Sequence, residues 1–363
     1  MDTIELLTEL VQIPAPSGKE AKRAEYICKY LKKCGLEPVI DTAGNVIIDW
    51  NMGKGGYTVL MAHMDTVFDD ENITVIKNGN CLLAPGIGDD TSNVVLLMKT
   101  LEDIAQKGLK PLQNVLVAFN VCEEGMGNLK GMRQIMQDYS GRVKEVISFD
   151  LGYDAICMKA VGSKRYRVTV KSPGGHSFHA FGQKGAIEAA TEMVHEIYSI
   201  PVENKENTKT TYNVGMIRGG TSVNTIAQEC TFLAEVRSDD TKSMADTEQK
   251  MLKAFHIFDN TSDGIEISYE LIGDRPTDDN VPEAGQCALI QKASAVIQKH
   301  TGIQPVLKSG STDCNIPLSM GIPAISFGGY RGGKAHTRQE WIDSAFMDTG
   351  YEIIREFVES YFT

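Results

Sequence analysis

The sequence predicts an α/β fold: a mixed, largely buried sheet flanked by helices, in a domain whose chain is interrupted by an α+β insertion. Up to residue 162, short apolar runs of strand length, such as 115–119, alternate with amphipathic stretches of helical period, as in a sheet buried on both faces. From 163 to 273 the strands instead alternate apolar and polar residues, which is typical of a sheet with one face in water. From 274 the alternation of apolar strands and amphipathic helices returns, so the α/β domain is split in sequence by the insertion.

The spacing of apolar residues, helical in some stretches and alternating or continuous in others, predicts the individual helices and strands. In the first segment we expect helices at 3–11, 92–104 and 131–137, and strands at 46–48, 59–61, 115–119 and 146–149. In the insertion we expect strands at 165–170, 231–236 and 266–271, and helices at 185–198 and 243–258. In the last segment we expect a helix at 283–301, a strand at 323–327 and a helix at 346–361. A chain of 363 residues is long for one core, which favours a domain of 1–162 and 274–363 with 163–273 as a second domain.

Composition excludes several classes of protein. The formal net charge is -12 and no long run of Lys or Arg occurs, which argues against a nucleic-acid partner. The start, MDTIELLTEL, lacks the regions of a signal peptide, and no apolar stretch approaches the roughly 18 residues that span a bilayer. The eight cysteines form no Cys-x-x-Cys pair, which indicates buried free thiols in a reducing compartment. We therefore expect a cytoplasmic protein without nucleic-acid or membrane partners.

Acidic residues and histidines follow the predicted strands, at their ends or in the adjacent loops. The set comprises His63, Asp65, Asp89, Asp90, Glu123, Glu124, Asp150 and His336. Open α/β sheets assemble their sites at such strand ends. His63 and Asp65 are two residues apart on an extended chain and so point to the same side. Carboxylate and imidazole ligands without thiolate suit zinc, with cobalt or manganese as substitutes.

Each of these features alone has a simpler explanation. A His-x-Asp sequence is commonly a hydrogen-bonded pair, and paired acidic residues are commonly solvated in loops. However, acidic pairs directly at the ends of apolar strands lose hydration unless positive charge compensates them. A pair of metal ions would supply that charge, and so would the nearby Arg133, Arg331 and Arg338.

Taken together, the motifs resemble the dinuclear zinc peptidase family that includes peptidase T, aminoacylase, acetylornithine deacetylase and glutamate-releasing carboxypeptidases. The similar motifs run almost from end to end: AHMDTV (62–67), GIGDDTSNV (86–94), CEEGMG (122–127), FD (149–150), GGHSF (174–178), GGTSVN (219–224), GSTDCN (310–315) and AHTRQEW (335–341). The order of the acidic and histidine motifs is the specific part of this signature. One departure is Thr91, where the family usually has lysine; it affects a contact at a helix start and no ligand.

The resemblance implies two Zn²⁺ per subunit, with Co²⁺ or Mn²⁺ as alternatives. Asp89 would bridge the two ions. His63 and Asp150 would complete one site, and Glu124 and His336 the other. The family also implies a cis peptide bond between Asp89 and the following aspartate.

Two further carboxylates are given catalytic roles by the same resemblance. Glu123 would be the general base, acting on a hydroxide that bridges the metals and passing the proton to the leaving amine. Such proton transfer typically contributes roughly 10²- to 10⁴-fold. Asp65 would hydrogen-bond His63 and fix its orientation.

For the insertion, the resemblance implies a lid and dimerisation domain attached to the split catalytic domain. His176 would donate to the tetrahedral oxyanion, in many members across the interface of a homodimer. Asn224 and Arg237 match positions that hold the polar end of the substrate, and Arg275 matches a carboxylate-binding arginine. Surface salt bridges with neighbouring aspartates are the alternative for both arginines.

The expected function is therefore metal-dependent hydrolysis of amide bonds in small peptides. The HMDTV and EEGMGNLKG stretches resemble the peptidase T branch, which favours a tripeptidase or aminopeptidase activity, with a deacylase of N-acyl amino acids as the alternative. A non-catalytic binding protein on the same fold would have lost Glu123 or a ligand, and none is lost. A doubly wound nucleotide-binding enzyme would need a GxGxxG after its first strand or a GxxxxGK[ST] motif, and neither occurs.

Overall fold

A computed structural model describes residues 1–53, 55–202, 208–259 and 264–363. Its helices are α1 (Thr3–Val11), α2 (Ala21–Lys33), α3 (Asn93–Lys107), α4 (Lys130–Asp138), α5 (Ala186–Tyr198), α6 (Thr241–Phe255), α7 (Glu283–Thr301), α8 (Asn315–Ser319) and α9 (Met347–Glu359). Its strands are β1 (Val39–Ile40), β2 (Val46–Trp50), β3 (Tyr57–His63), β4 (Ile76–Asn78), β5 (Cys81–Leu83), β6 (Val115–Asn120), β7 (Val143–Phe149), β8 (Ala155–Ala160), β9 (Gly162–Lys171), β10 (Gly175–His176), β11 (Thr210–Gly219), β12 (Thr225–Ile226), β13 (Glu229–Ser238), β14 (Glu266–Arg275), β15 (Val306–Gly310), β16 (Ala324–Phe327), β17 (Gly332–Gly333) and β18 (Trp341–Asp343).

The chain divides into two compact units, one formed by Met1–Ala160 with Asp278–Thr363 and the other by Val161–Thr277. The first contains an eight-stranded sheet in the order β1-β2-β6-β3-β7-β16-β8-β15. Its central strands β6, β3, β7 and β16 are parallel, whereas β1, β2 and β6 pair antiparallel. The predicted mixed α/β sheet is therefore confirmed. None of the helices that the structure describes has the length and apolarity needed to cross a bilayer.

Both faces of this sheet are covered, which explains why its central strands are apolar throughout. Every residue of β3 and β6 is buried. On one face, Leu60 and Phe119 pack in the same cluster as side chains of α1, α2, α3, α7 and α9. On the other face, Met61 and Ala118 pack with side chains of α4 and α8. Alternate residues of one strand thus pack into two different hydrophobic cores, one on each face of the sheet.

Parallel pairing brings three strand ends to one edge of the sheet. In register, His63 at the end of β3 lies opposite Asn120 at the end of β6. Strand β7, on the other side of β3, ends at Phe149, so that Asp150 follows it at the same edge. A small sheet, β17-β18-β5-β4, holds the segment that contains His336 between β17 and β18. The first unit therefore gathers the acidic and histidine motifs of distant segments.

The second unit is built on a four-stranded antiparallel sheet in the order β11-β13-β9-β14. Helices α5 and α6 cover one of its faces, where Val168 and Phe232 pack against Met193 and Met251. A two-stranded ribbon of β10 and β12 accompanies this sheet. Because one face carries the helices, alternate residues of the central strand β13 are buried, as the sequence predicts. The edge strand β14 departs from this pattern, since Tyr269 and Leu271 are exposed.

Candidate metal centre

Asp89 lies between two imidazoles. Its Oδ1 is 3.1 Å from Nε2 of His63, and its Oδ2 is 3.1 Å from Nε2 of His336. The residue sits in an irregular turn, Ile87–Ser92, which starts after Gly86 in the left-handed region at φ 68°. The peptide bond between Asp89 and Asp90 is cis, which confirms that expectation. Each oxygen of one carboxylate thus faces a different histidine.

The other predicted ligands complete two groups around this carboxylate. Nε2 of His336 is 2.9 Å from Oε1 of Glu124. Asp89, Glu124 and His336 offer ligand atoms within 4.8 Å of one another, and so do His63, Asp90 and Asp150. A third combination within the same limit joins His63 with Glu123 and Glu124. The structure therefore brings together every residue of the first unit that the sequence placed in the site.

The electrostatics of these groups show the need for added positive charge. Burial, and then the charge of Asp89, raise the pKa of Asp150 to about 6. Burial also raises the pKa of Asp90 well above its usual value, and Asp150 and Asp89 add to this. Hydrogen bonds to Asp89 and Glu124 raise the pKa of His336 to about 11. Buried like charges repel one another unless a cation or a proton lies among them.

Two of the three nearby arginines pair with carboxylates outside the proposed ligands. Arg331 pairs with Asp343, and Arg338 pairs with Asp70. Nε of Arg133 donates to the carbonyl oxygen of Asn128 at 3.0 Å. The donors are carboxylate oxygens and imidazole nitrogens without thiolate, a set that fits Zn²⁺, Co²⁺ or Mn²⁺.

Asp65 organises the segments around it. Its carboxylate accepts the backbone N–H groups of Glu123 at 2.9 Å and Glu124 at 2.8 Å, and the hydroxyl of Ser17 at 2.5 Å. Nδ1 of His63 lies 3.5 Å from Oδ1 of Asp65 and 3.0 Å from its backbone carbonyl oxygen. The side chain is fully buried. Asp65 therefore ties the strand end of His63 to the segment of the paired glutamates.

Two carboxylates of the site have structural contacts that the sequence did not reveal. Asp90 accepts the backbone N–H of His63 at 3.1 Å and the side-chain amide of Asn93 at 2.7 Å. Glu340 accepts the backbone N–H of Asp89 at 2.7 Å and is almost wholly buried. Glu340 belongs to the AHTRQEW motif, so its position beside His336 was the only signal that could have indicated it.

The predicted residues of the insertion lie in the second unit, in two places. His176 on β10 is opposite Thr225 on β12, and Ser177 donates its N–H to the carbonyl oxygen of Asn224 at 3.1 Å. His176 and Asn224 therefore belong to neighbouring segments of the ribbon.

Arg237 and Arg275 are cross-strand neighbours of one residue, Ser163, on either side of β9. Residues opposite one another in register share a face of the sheet. Arg237 donates from Nε to Glu235 at 3.0 Å, and the same carboxylate pairs with Arg165 at 3.3 Å. Arg275 is largely buried. Arg165 and Arg237 thus share one glutamate on the face away from α5 and α6.

Comparisons with known proteins agree on one family. A family model described as peptidase family M20/M25/M40 matches residues 59–360. The putative [LysW]-lysine/[LysW]-ornithine hydrolase of Pyrobaculum aerophilum is 26% identical over 362 residues, covering 99% of this chain and 97% of the relative. The putative succinyl-diaminopimelate desuccinylase DapE of Mycobacterium tuberculosis is 22% identical, covering 98% of each chain. The crystal structure of a tripeptidase from Staphylococcus aureus superposes with a TM-score of 0.78 at 20% identity, covering 99% of this chain and 97% of that one.

Proposed function

The chain belongs to peptidase family M20/M25/M40, and on that premise we propose that it hydrolyses amide bonds of small peptides that carry a free amino terminus. The single observation that supports this most is the position of Asp89, whose two oxygens each lie 3.1 Å from a different imidazole. A carboxylate so placed is suited to bridge two cations, and paired metal sites are common in hydrolases that cut amide bonds.

The residues that would hold two divalent ions are assigned from the family resemblance, and the distances around Asp89 support the assignment. We assign Asp89 to both ions, His63 and Asp150 to one, and Glu124 and His336 to the other. When bound, such ions act as Lewis acids towards the scissile carbonyl and make an attacking water more acidic. Zn²⁺ is the first choice for this donor set, with Co²⁺ or Mn²⁺ as substitutes.

Glu123 is the residue we assign to proton transfer. It is 5% exposed, and it lies within 4.8 Å of His63 and Glu124. Its backbone N–H donates to the carboxylate of Asp65, and this bond constrains the backbone from which the Glu123 side chain extends. A carboxylate oxygen of Glu123 would take a proton from water as the water oxygen bonds to the scissile carbon. The same oxygen would then deliver that proton to the leaving amine, so that amide and water yield acid and amine.

For the second unit we propose a role in substrate binding and assembly. His176 would donate to the oxyanion, and Asn224 lies in the segment beside it on the ribbon. Arg237 and Arg275 share a sheet face with Arg165, a positive cluster suited to a carboxylate. We propose that this unit acts as a lid and forms a homodimer in the cytoplasm.

The choice of peptide over acylated amino acid rests on similarity to the tripeptidase structure and on the HMDTV and EEGMGNLKG stretches. A deacylase of N-acyl amino acids is the second candidate. It is favoured by the desuccinylase name of a relative that matches 98% of this chain. Both reactions use the same water attack on an amide, so the difference lies in how the substrate's amino end is recognised.

Substrate turnover decides between the two candidates. The metal-stripped protein would be reloaded with Zn²⁺, Co²⁺ or Mn²⁺ and assayed against tripeptides and dipeptides, and in parallel against N-acetyl and N-succinyl amino acids. The proposal predicts the highest kcat/KM for a tripeptide with a free amino terminus. Higher kcat/KM for an acylated amino acid would support the deacylase instead. Absence of metal-dependent turnover across the whole panel would refute both.

A further inference from the structure

A buried arginine contacts residues adjacent to the proposed metal ligands. Arg23, on α2, is 1% exposed. It donates from Nη1 to the carbonyl oxygen of Met64 at 2.7 Å and to Oγ1 of Thr91 at 3.1 Å. It also donates from Nη2 to the carbonyl oxygen of Ile13 at 2.8 Å. One guanidinium therefore joins three segments that are distant in sequence.

Two of those segments carry proposed metal ligands. Met64 stands between His63 and Asp65, and Thr91 follows the Asp89–Asp90 pair directly. Thr91 is fully buried, and its hydroxyl donates to the carbonyl oxygen of Gly86 at 2.6 Å. A movement of Arg23 would therefore be transmitted to both the strand end and the turn.

The acceptors that Arg23 contacts are all neutral: two backbone carbonyls and one hydroxyl. Within the part of the chain that the structure describes, no carboxylate forms an ion pair with it. Burial lowers the pKa of Arg23 to about 10, while the charges of Asp65 and Glu20 oppose this shift. The group keeps its proton at neutral pH. Burying a cation without a direct ion-pair partner costs free energy, and the charges of Asp65 and Glu20 offset part of that cost.

Resting on the proposed function, we propose that Arg23 is a positioning residue of the metal centre. Its guanidinium holds the His63–Asp65 strand end and the Asp89–Thr91 turn at the spacing that two metal ions require. Position 91 is close enough to Arg23 for another side chain there to supply the same cation. Because Nη1 contacts both Thr91 and the Met64 carbonyl, an ammonium on residue 91 would reach the place that Nη1 now occupies.

A double-mutant cycle tests this relationship. The variants are Arg23→Met, Thr91→Lys and the two combined, and affinity for Co²⁺ is measured by calorimetry on metal-stripped protein, together with Tm and kcat/KM. Arg23→Met is expected to weaken metal binding by about 10- to 100-fold, as loss of a group that orients ligands does. Thr91→Lys alone is expected to lower Tm and weaken metal binding, because two cations are then buried together. The double variant is expected to regain metal affinity to within a few-fold of the wild type.

Matched controls separate charge and position from packing. Thr91→Met has a side chain of similar length without charge, so Arg23→Met with Thr91→Met should not regain affinity. Leu31→Ala removes a buried side chain from the same helix; it should lower Tm and leave the metal affinity of the folded protein unchanged. If Arg23→Met does not fold, the comparison of Thr91→Lys with Thr91→Met in the Arg23 background still applies. Equal Tm values for those two would overturn the inference.

The outcomes distinguish this inference from the proposed function. If the wild type binds Co²⁺ and Arg23→Met binds it with the same affinity, the role of Arg23 is refuted and the proposed function is not. If Thr91→Lys changes Co²⁺ affinity equally in the wild type and in Arg23→Met, positions 23 and 91 are independent. That result would also refute the role of Arg23. Wild-type protein that binds no divalent ion would refute the proposed function and this inference with it.

Discussion

The carboxylate of Glu340 accepts the backbone N–H of Asp89 at 2.7 Å, although 251 positions separate the two in the chain. It also accepts the N–H groups of Gly86 at 2.9 Å and Gly88 at 2.8 Å. Burial raises the pKa of Glu340 to about 7, although the three N–H donors oppose this shift. Three donors converging on one buried carboxylate fix the turn that presents Asp89 to both histidines.

Glu340→Gln should therefore damage the site without removing a ligand. The amide has one acceptor oxygen, and its N–H₂ group would face backbone N–H donors, so at least one of the three bonds is lost. We expect kcat/KM to fall about 10- to 100-fold and the free energy of unfolding to fall by about 1–3 kcal/mol. Denaturant titration and steady-state kinetics measure both. Glu359→Gln, on the surface beside Lys107, is the control, and wild-type kcat/KM in Glu340→Gln would contradict this role.

The spacing of apolar residues in the sequence is sufficient to predict most helices and strands of the fold. The predicted helices at 3–11 and 283–301 coincide with α1 and α7, because each has an unbroken helical period. The strand β11, Thr210–Gly219, was missed. It lies at the edge of its sheet, contains a glycine, and carries a bulge between Val214 and Met216, so its alternation is interrupted. Strands of this kind are specified by their neighbours rather than by their own residues.

The sequence predicts those residues of the site that lie at the ends of strands. It does not predict the contacts that join distant segments. Asp65 was expected to orient His63, and the structure places the carboxylate nearer to the backbone N–H groups of Glu123 and Glu124. Those contacts join segments 58 and 59 positions apart, and spacing within one motif cannot show them. Arg23 was missed for the same reason, since nothing in α2 indicates that its guanidinium reaches Met64.

Glu123→Gln should abolish turnover and retain metal. The amide keeps the size of the side chain but cannot accept a proton, so we expect kcat to fall by at least about 10²-fold. Two metal ions per subunit should remain by elemental analysis, because Glu123 is not assigned as a ligand. Glu124→Ala provides the contrast, with loss of metal. Equal metal loss in the two variants would refute this division of roles.

Metal binding should release protons, and apparent affinity should fall as pH falls. Hydrogen bonds to Asp89 and Glu124 hold the pKa of His336 at about 11 without metal, so the imidazole is protonated at neutral pH. A metal ion needs the neutral ring, and each proton released changes apparent affinity by about tenfold per pH unit. Calorimetry in two buffers of different ionisation enthalpy counts these protons. His336→Ala removes both a ligand and this proton, so it should bind less metal and release fewer protons per subunit. Affinity that does not vary with pH would contradict the assignment.

Asp65→Asn should lower kcat and keep the metals. The amide can accept only one of the two backbone N–H bonds that Glu123 and Glu124 now donate to Asp65. We expect kcat to fall about 10- to 100-fold, with unchanged metal content by elemental analysis. Ser17→Ala removes only the third bond to the same carboxylate and should have the smaller effect. Complete metal loss in Asp65→Asn would contradict a role limited to positioning.

Mixing two inactive variants tests whether His176 acts across the proposed homodimer. In a mixed dimer, the His176→Ala subunit keeps Glu123 and would receive His176 from its Glu123→Gln partner, so one of its two sites is complete. Equal amounts, fully exchanged, should give about a quarter of wild-type activity, because half of the dimers are mixed. Native mass spectrometry on subunits of different tag mass establishes the exchange, and each variant alone is the control. Mixed dimers that remain inactive, or a protein that is monomeric at assay concentration, would refute donation of His176 in trans.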